Sequence, residues 1–257
     1  MRVMLSLFRR PFKPALPPGQ RVYAIGDVHG RLDLLETLLG RIHEDDATRG
    51  AAETHILLLG DMIDRGPDSA GVVRRVMAGD PRFASLGAVK GNHEASLLSV
   101  LEGDTRWLES WLGYGGRAAL HSWGVARAVL DDGEADEIVA AAVQAVPHAE
   151  QMWLADLPTS CRHGDYVFVH AGIRPGVPIT AQSDADLLWI RHEFLSDKRD
   201  HGACIVHGHT ISRDPELRPN RIGIDTGAYM SGTLTAVGLE GGEQWFLATG
   251  PAAAAAA

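Results

Sequence analysis

The chain has 257 residues, of which 45% are hydrophobic and 22% charged, and its formal net charge is −9. This length is enough for one large α/β domain with a sizeable core. The acidic balance argues against a protein that binds nucleic-acid duplexes, because a phosphate backbone requires a basic face. A small anionic substrate held by a few arginines and metal ions is not excluded. Two cysteines, Cys161 and Cys204, are too few for a disulfide framework or a structural zinc site.

The two ends of the chain differ in composition from the rest. Residues 1–20 end in PALPPGQ, and since proline lacks the backbone donor that helices and sheets use, we predict a flexible linker there. The short apolar run near the start is followed by Arg9 and Arg10 rather than by a small-residue cleavage site, and no stretch approaches the length of a membrane span. We therefore predict a cytoplasmic protein without a membrane span. Residues 251–257 predict a low-complexity tail.

Between these ends, from 21 to 250, the pattern predicts one domain in which short apolar runs alternate with helical stretches, as is typical of an α/β fold. An apolar stripe predicts a helix over 31–43, and a second helix is predicted over 69–77. The predicted strands are 21–25, 54–59, 84–89, 166–170, 203–207, 221–224, 233–239 and 243–248.

Residues 95–157 differ from this pattern and predict a mostly helical insertion between two strands, which caps one side of the site. The insertion holds alanine-rich stretches and four tryptophans, namely Trp107, Trp111, Trp123 and Trp153. Because large aromatic side chains are usually buried, we expect these tryptophans to form the core of the cap rather than a platform for the substrate.

Polar motifs follow five of the predicted strands. They read GDVHG (26–30), GDMIDRG (60–66), GNHE (91–94), HAG (170–172) and HGHT (207–210). Ligands of open α/β sheets bind beyond the carboxyl ends of the strands, so we expect these loops to converge. Each motif by itself is also compatible with a turn whose Asp or His binds local backbone. Only the five together indicate a site.

The five motifs supply carboxylates, imidazoles and one amide, without thiolates. This set suits two adjacent divalent metals such as manganese, iron or zinc, and its members are Asp27, His29, Asp61, Asn92, His170 and His209. Burying so many ionisable groups without metals or partners would be costly. Two metals about 3.5–4 Å apart need a bridging carboxylate, and they hold a hydroxide that acts as a nucleophile at neutral pH.

Two arginines accompany this set. Arg65 lies directly behind the second motif and Arg191 follows the fourth strand. Guanidinium groups offer paired donors to tetrahedral oxyanions, so both are predicted to bind phosphate. For Arg191 an ordinary surface position is the competing interpretation.

Taken in order, GDVHG, GDMIDRG, GNHE, VHAG and GHT resemble the motifs of the calcineurin-like metallophosphoesterases. The DRG and GNHE forms resemble the phosphoprotein phosphatase branch, whose bacterial members include serine/threonine phosphatases and symmetrical diadenosine tetraphosphatases. The resemblance covers roughly residues 21–240. It implies a four-layer α/β/β/α sandwich of two mixed sheets flanked by helices, with a helical cap insertion.

The resemblance also implies a role for each site residue. Asp27 and His29 would bind the first metal, Asp61 would bridge both, and Asn92, His170 and His209 would complete the second. His93 would be the general acid, with Asp64 holding it, while Arg65, Arg191 and Asn92 would contact the phosphoryl oxygens. Manganese is the expected metal, with iron or zinc as alternatives.

Three further positions receive a structural interpretation. His207 is expected to be a strand residue, and Glu94 is expected to act at a helix start rather than in the chemistry. Some relatives outside the branch have another ligating histidine where this chain has Ile211, so that ligand is absent here.

The motifs predict a metal-dependent phosphoesterase, and the leading hypothesis is a phosphatase acting on phosphoserine or phosphothreonine in proteins. A symmetrical bis(5′-nucleosyl)-tetraphosphatase, acting on a dinucleoside polyphosphate with the same metals, is the competing hypothesis. An inactive metal-binding scaffold is a remote alternative, since all the ligands, the acid and both arginines are present. The sequence contains no GxxxxGK[ST] loop, which disfavours an NTPase.

Overall fold

Two five-stranded mixed sheets form the frame of the computed structural model, which describes residues 13–250. In chain order the strands are β1 (Gln20–Ile25), β2 (Glu53–Leu58), β3 (Ser85–Ala88), β4 (Ser160–His163), β5 (Tyr166–Val169), β6 (Cys204–His207), β7 (Glu216–Leu217), β8 (Arg221–Gly223), β9 (Thr235–Glu240) and β10 (Glu243–Ala248). The predicted alanine tail and the first twelve residues of the predicted linker lie outside the described residues.

Helices cover the sheets and fill the connection between β3 and β4. They are α1 (Leu32–Thr48), α2 (Ser69–Met77), α3 (Asn92–Leu101), α4 (Leu108–Trp111), α5 (Arg117–Ser122), α6 (Arg127–Asp132), α7 (Ala135–Ala145), α8 (His148–Asp156), α9 (Asp184–Trp189), α10 (His192–Leu195) and α11 (Ala228–Ser231). A π-helical turn at Leu112–Gly116 joins α4 to α5, and a 3₁₀ turn lies at Ile179–Ala181. Within residues 13–250 no helix is long and apolar enough to cross a lipid bilayer.

The strand order brings the carboxyl ends of the parallel strands together. The first sheet has the order β10-β9-β1-β2-β3, in which β1, β2 and β3 are parallel. Ile25 pairs with Leu58, and Leu58 pairs with Ala88, so these three strands end side by side. The second sheet has the order β4-β5-β6-β8-β7, with β5, β6 and β8 parallel. The polar motifs therefore start from one edge of each sheet.

Successive side chains of a strand point to opposite faces of the sheet, so each sheet contributes to the cores on both of its sides. Val22 and Ala24 of β1 face the core between the two sheets, whereas Tyr23 and Ile25 face the core beneath α1 and the helical insertion. This is the period-two pattern of a strand buried on both faces. A third core packs the outer face of the second sheet against α9 and α10. The predicted α/β sandwich of two mixed sheets flanked by helices is confirmed.

The element boundaries differ from the prediction in two ways. Strands β4 and β7 were not predicted, because one reads SCRH and the other has two residues, so neither has an apolar run. Helix α1 extends to Thr48, five residues past its predicted end, although its apolar stripe stops earlier. Asp45 anchors this polar end, since it accepts hydrogen bonds from Tyr23 Oη (2.5 Å) and Trp245 Nε1 (2.9 Å).

Part of the predicted flexible linker is attached to the domain. The Leu16 side chain is buried against the core between the sheets, and its N–H donates to the Gly241 carbonyl (2.8 Å). The Ala15 N–H donates to Asp165 Oδ2 (3.1 Å). Proline keeps residues 13–19 out of the sheets, but one apolar side chain and these two bonds fix the segment in place.

The helical insertion contains α4 to α8, and its tryptophans have different environments. Trp111 and Trp123 are buried in the core, and Trp153 packs against it while partly exposed. Trp107 is 71% exposed, so the expectation that all four form the core of the cap is wrong for this residue. It precedes α4 in the chain and lines the cavity described below.

Candidate metal-binding active site

Strained backbone marks the loops that follow the parallel strands. Five non-glycine residues have a positive φ between 45° and 74°, and they are His29, Asp61, Asp64, Arg65 and His209. All belong to the polar motifs. Such conformations cost about 1–3 kcal/mol each and persist only where the surrounding structure holds them. The strained loops therefore lower the stability of the fold, and the surrounding structure holds these side chains in position.

Glu94 is a main support of the second loop. Its carboxylate is fully buried and accepts hydrogen bonds from the N–H groups of Asp61 (2.9 Å), Met62 (2.8 Å) and Gly91 (2.8 Å). Burial, together with the nearby Asp61, raises the pKa of Glu94 to about 7. The side chain thus acts at the start of α3 and also holds the loop after β2, which sequence reasoning did not find.

His29, Asp61 and His93 form one group whose candidate ligand atoms lie within 4.8 Å of one another. The Nδ1–H of His29 donates to the Ile63 carbonyl (2.7 Å), which leaves the Nε2 lone pair pointing into the group. Burial lowers the pKa of His29 to about 3, so the ring is neutral. A neutral, oriented imidazole is the form that binds a metal. In the structure, Arg65 Nη1 donates to this lone pair (2.7 Å).

Asp61, His170 and His209 form a second group of the same size. Nε2 of His170 lies 2.8 Å from Asn92 Oδ1, 3.0 Å from His209 Nδ1 and 3.3 Å from Asp61 Oδ1. The Nδ1–H of His170 donates to the Leu59 carbonyl (2.8 Å), which orients the ring. Burial lowers the pKa of His209 to about 2. Oxygen and nitrogen ligand atoms converge at this point, as a divalent cation requires.

Asp27 belongs to neither group, but it lines the same cavity as Asp61. Its two carboxylate oxygens both accept from the His209 N–H (3.2 Å). Burial, followed by the charges of Asp225 and Asp61, raises the pKa of Asp27 well above its ordinary value. Three buried carboxylates so close together are unfavourable unless cations neutralise them. The residues present therefore fit a site for divalent metals.

Asp225 is the carboxylate of this cluster that sequence reasoning missed. It is 3% exposed and accepts a hydrogen bond from the Gly227 N–H (2.9 Å). It follows β8 by only two residues, so a carboxylate at the end of a parallel strand was the available signal.

His93 differs from the other histidines because its partner is a carboxylate. Nδ1 of His93 donates to Asp64 Oδ2, and Nε2 lies 3.7 Å from Asp61 Oδ2. Burial alone would lower the pKa of His93, but the charges of Asp61 and Asp64 outweigh it and raise the pKa to about 9. A charged ring with its Nδ1 occupied can give up a proton from Nε2.

The two arginines lie on different sides of the site. Arg65 Nη2 lies 3.2 Å from His93 Nε2, and its guanidinium carbon lies 4.6 Å from the centre of the Tyr229 ring. Arg191 donates through Nη1 to the His209 carbonyl (3.1 Å). Both line the cavity, and Arg191 is exposed there.

A cavity of about 770 Å³ connects these groups with the helical insertion. At one end lie Asp27, Asp61, Asn92, His93 and His209, with Arg65 and Arg191 beside them. The rest of the lining consists mainly of hydroxyl and aromatic side chains, which include Ser96, Ser99, Ser110, Trp107, Tyr114 and Trp189. Three of these aromatic residues, Trp107, Tyr114 and Trp189, are more than half exposed. The cavity therefore combines a cluster of ionisable groups with a remaining lining in which Asp104 is the one charged side chain.

Comparison with known proteins agrees with this geometry. A family model described as calcineurin-like phosphoesterase matches residues 20–230. The chain belongs to this family. The resemblance noted in the motifs is thus confirmed, and the chain is a phosphoesterase of a family that uses divalent metals.

The relatives of this calcineurin-like phosphoesterase carry two kinds of name. Serine/threonine-protein phosphatase 1 of Salmonella typhimurium is 31% identical over 222 residues, which are 84% of this chain and 90% of the relative. The symmetrical bis(5′-nucleosyl)-tetraphosphatase of Methylococcus capsulatus is 32% identical over 154 residues, which are 60% of this chain and 44% of the relative. A solved structure described as a diadenosine tetraphosphatase superposes with a TM-score of 0.62 at 22% identity, covering 92% of this chain and 98% of its own. That likeness shows the fold alone.

Proposed function

We propose that this calcineurin-like phosphoesterase hydrolyses phosphomonoesters of serine and threonine in proteins. The observation that carries the proposal is the distribution of charge along the cavity. Among the described residues that line it, Arg65 and Arg191 are the only arginine or lysine side chains, and both lie at the end with the metal-binding groups. In the rest of the described lining Asp104 is the one charged side chain, and it is paired with Arg106 (2.6 Å).

This distribution fits a single phosphoryl group joined to an uncharged leaving group. A dinucleoside tetraphosphate split symmetrically has two phosphates on each side of the broken bond, and it needs cations on both sides. The serine hydroxyls and aromatic rings of the remaining lining suit a peptide, and they offer no arginine or lysine to a second phosphate. The match to the Salmonella phosphatase, over 84% of this chain and 90% of that relative, supports the same function.

Two metal sites follow from the donor set. Asp27, His29 and Asp61 would hold the first metal, and Asp61, Asn92, His170 and His209 would hold the second. We propose manganese, with iron and zinc as the alternatives to test, because oxygen and imidazole donors without thiolates suit all three. When bound, the two metals neutralise the charge of the phosphoryl group and activate the attacking water.

The residues of the chain supply binding and the proton. Arg65 and Arg191 bind the phosphoryl oxygens and keep the phosphorus in line with the attacking water. As the ester P–O bond breaks, Nε2 of His93 gives its proton to the leaving oxygen, and Asp64 holds the ring through Nδ1. The products are inorganic phosphate and the free hydroxyl of the peptide.

A comparison of two substrates tests this function. The full chain loaded with manganese is given a phosphoserine peptide and diadenosine tetraphosphate, and phosphate and ADP release are measured separately. We expect a higher kcat/KM for the peptide. Negligible turnover of the peptide beside rapid release of ADP would replace the proposal with the tetraphosphatase. Repeating the assay with iron and zinc tests the metal.

A further inference from the structure

We propose that Trp111, a residue of the helical insertion, is a positioning residue that orients the Asp64–His93 pair for proton transfer to the leaving oxygen. This inference rests on the proposed phosphomonoesterase function. Trp111 lies on α4, and both α4 and the turn that follows α4 lie outside the five polar motifs.

The hydrogen bonds of Asp64 carry the argument. The indole Nε1–H of Trp111 donates to Asp64 Oδ2 at 2.7 Å, and the same oxygen accepts the Nδ1–H of His93. The other oxygen, Oδ1, is buried and has no partner among residues 13–250. Asp64 itself has no exposed surface. The indole is therefore one of only two donors that this part of the chain offers to a buried carboxylate.

This arrangement fixes the direction of the His93 ring. A carboxylate held by one donor can rotate about its terminal torsion, which is broad, whereas two donors on one oxygen define its plane. Because Asp64 contacts Nδ1 of His93, any rotation of Asp64 turns the ring and moves Nε2 away from the leaving oxygen. A misplacement of about 1 Å is enough to slow a reaction by about 100-fold.

The turn after Trp111 contacts Arg65, which follows Asp64 in the second motif. The Arg65 N–H donates to the Gly115 carbonyl (3.2 Å), and Arg65 Nε donates to the Tyr114 carbonyl (3.4 Å). A Cβ atom on Gly116 would lie 2.6 Å from the Trp111 ring, so only glycine lets the chain pass this close. The insertion is therefore bonded directly to the pair Asp64–Arg65, and Trp111 is its contact with the acid.

Trp123 provides a matched control in the same insertion. It is 7% exposed, against 4% for Trp111, and its Nε1–H also donates to a carboxylate oxygen at 2.7 Å. Its acceptor is Glu150, which is paired with Arg74 and does not line the cavity. Replacing either tryptophan with phenylalanine removes an indole donor from a buried carboxylate, but only Trp111 reaches the acid.

The kinetic test compares Trp111→Phe with Trp123→Phe in the full chain loaded with manganese. Two esters are used, a phosphoserine peptide and p-nitrophenyl phosphate, whose leaving group departs without a proton. We expect Trp111→Phe to lower kcat for the peptide about tenfold, part of the typical worth of general acid catalysis, and to leave KM and the p-nitrophenyl phosphate rate within about twofold. Trp123→Phe should leave all three within about twofold.

A second measurement does not depend on activity. In metal-free protein, the Trp111 indole N–H signal is assigned by its loss in Trp111→Phe, or by selective labelling if that variant does not fold. We expect Asp64→Asn to shift this signal and to leave that of Trp123 unchanged.

A kinetic double-mutant cycle tests the same pair. In the Asp64→Asn background, Trp111→Phe should cause no further loss of kcat, since both changes act on one pair.

Four results would overturn the positioning role. They are equal slowing of both esters by Trp111→Phe, a changed metal content, equal effects of the two tryptophan substitutions, and an indole signal that ignores Asp64→Asn. A wild-type enzyme inactive on both esters overturns the proposed function and the positioning role with it. That outcome is distinct, because the two kinetic results presuppose an active wild type, whereas metal content and the indole signal are measured without activity.

Discussion

Histidines of the site differ in what their Nδ1 atoms contact. Nδ1 of His29 donates to a backbone carbonyl, whereas Nδ1 of His93 donates to the Asp64 carboxylate. At His29 burial lowers the pKa more than the carbonyl raises it, whereas at His93 burial is outweighed by the Asp61 and Asp64 carboxylates. The Nδ1 partner thus contributes to separating a histidine suited to bind a metal from one suited to donate a proton, although both lie in one cluster.

Substitution of His93 by asparagine tests this separation. We expect His93→Asn to keep both metals and to slow a phosphoserine peptide by about 10²–10⁴-fold, because the leaving oxygen loses its proton donor. p-Nitrophenyl phosphate should be slowed much less. Metal content is measured by elemental analysis beside the kinetics, with His29→Asn as the variant expected to lose metal. Loss of a metal ion from His93→Asn would show that His93 is a ligand.

Substitution of Arg191 by alanine tests the second arginine. We expect inhibition by free phosphate to weaken about tenfold or more, since charge-assisted hydrogen bonds contribute about 1.5–3 kcal/mol. Arg174→Ala is the control, because Arg174 is an arginine paired with Asp186 that does not line the cavity. An unchanged inhibition constant in Arg191→Ala would remove this residue from the phosphate site.

At the scale of elements, the turn between α4 and α5 decides how the insertion meets the second motif. Gly115 has φ of +119°, and a Cβ atom there would lie 2.4 Å from the Arg65 nitrogen. Gly103, in the same insertion, has φ of +91° and nothing within 4 Å of such an atom. The two glycines thus share a backbone conformation that disfavours other residues but differ in their neighbours.

Substitution of each glycine by alanine separates the effect of backbone strain from the effect of moving the turn away from Arg65. We expect both Gly115→Ala and Gly103→Ala to lower the free energy of unfolding by about 1–3 kcal/mol, because of the positive φ. Only Gly115→Ala should also lower kcat/KM, since its methyl group pushes the turn away from Arg65. Urea unfolding and phosphopeptide kinetics measure the two effects. Equal kinetic losses in both variants would contradict the contact between the insertion and the second motif.

The strands of both sheets, apart from β4 and β7, and the positions of the motif loops were predicted from the sequence. Apolar strand patterns and the polar residues that follow each strand are local signals. The sequence did not predict β4 and β7, whose pairing is decided by neighbouring strands rather than by their own residues. Nor did it predict the bond from Trp111 to Asp64, which joins positions 47 residues apart. A buried tryptophan gives the same local pattern whether its indole meets a catalytic pair or, like Trp123, a structural carboxylate.

At the scale of the whole molecule, the site joins the two sheets. Asp27, His29, Asp61 and Asn92 follow strands of the first sheet, whereas His170 and His209 follow strands of the second. The carboxylates of Asp27, Asp61 and Asp225 are all buried there, and Asp225 and Asp61 together raise the pKa of Asp27. Cations bound at this junction would therefore relieve repulsion and connect the two halves of the sandwich at the same time.

Metal binding should accordingly stabilise the whole fold. We expect manganese at 100 times its dissociation constant to add about 2.7 kcal/mol to the free energy of unfolding. For a domain of this size that corresponds to a rise of about 5 °C or more in Tm over the chelator-treated protein. Differential scanning calorimetry of the full chain, with and without manganese, measures the shift.

Two variants decide where that stabilisation comes from. Asp61→Asn removes the proposed bridging carboxylate, so its Tm should no longer respond to manganese, and its activity should be nearly lost. Asp33→Asn, which changes an exposed carboxylate paired with Arg31, should keep the full response. A manganese response that survives in Asp61→Asn would place the stabilising ion elsewhere on this acidic protein. Since Asp61 is the one carboxylate shared by both ligand groups, loss of the response in this variant alone is the outcome that ties folding stability to the candidate active site.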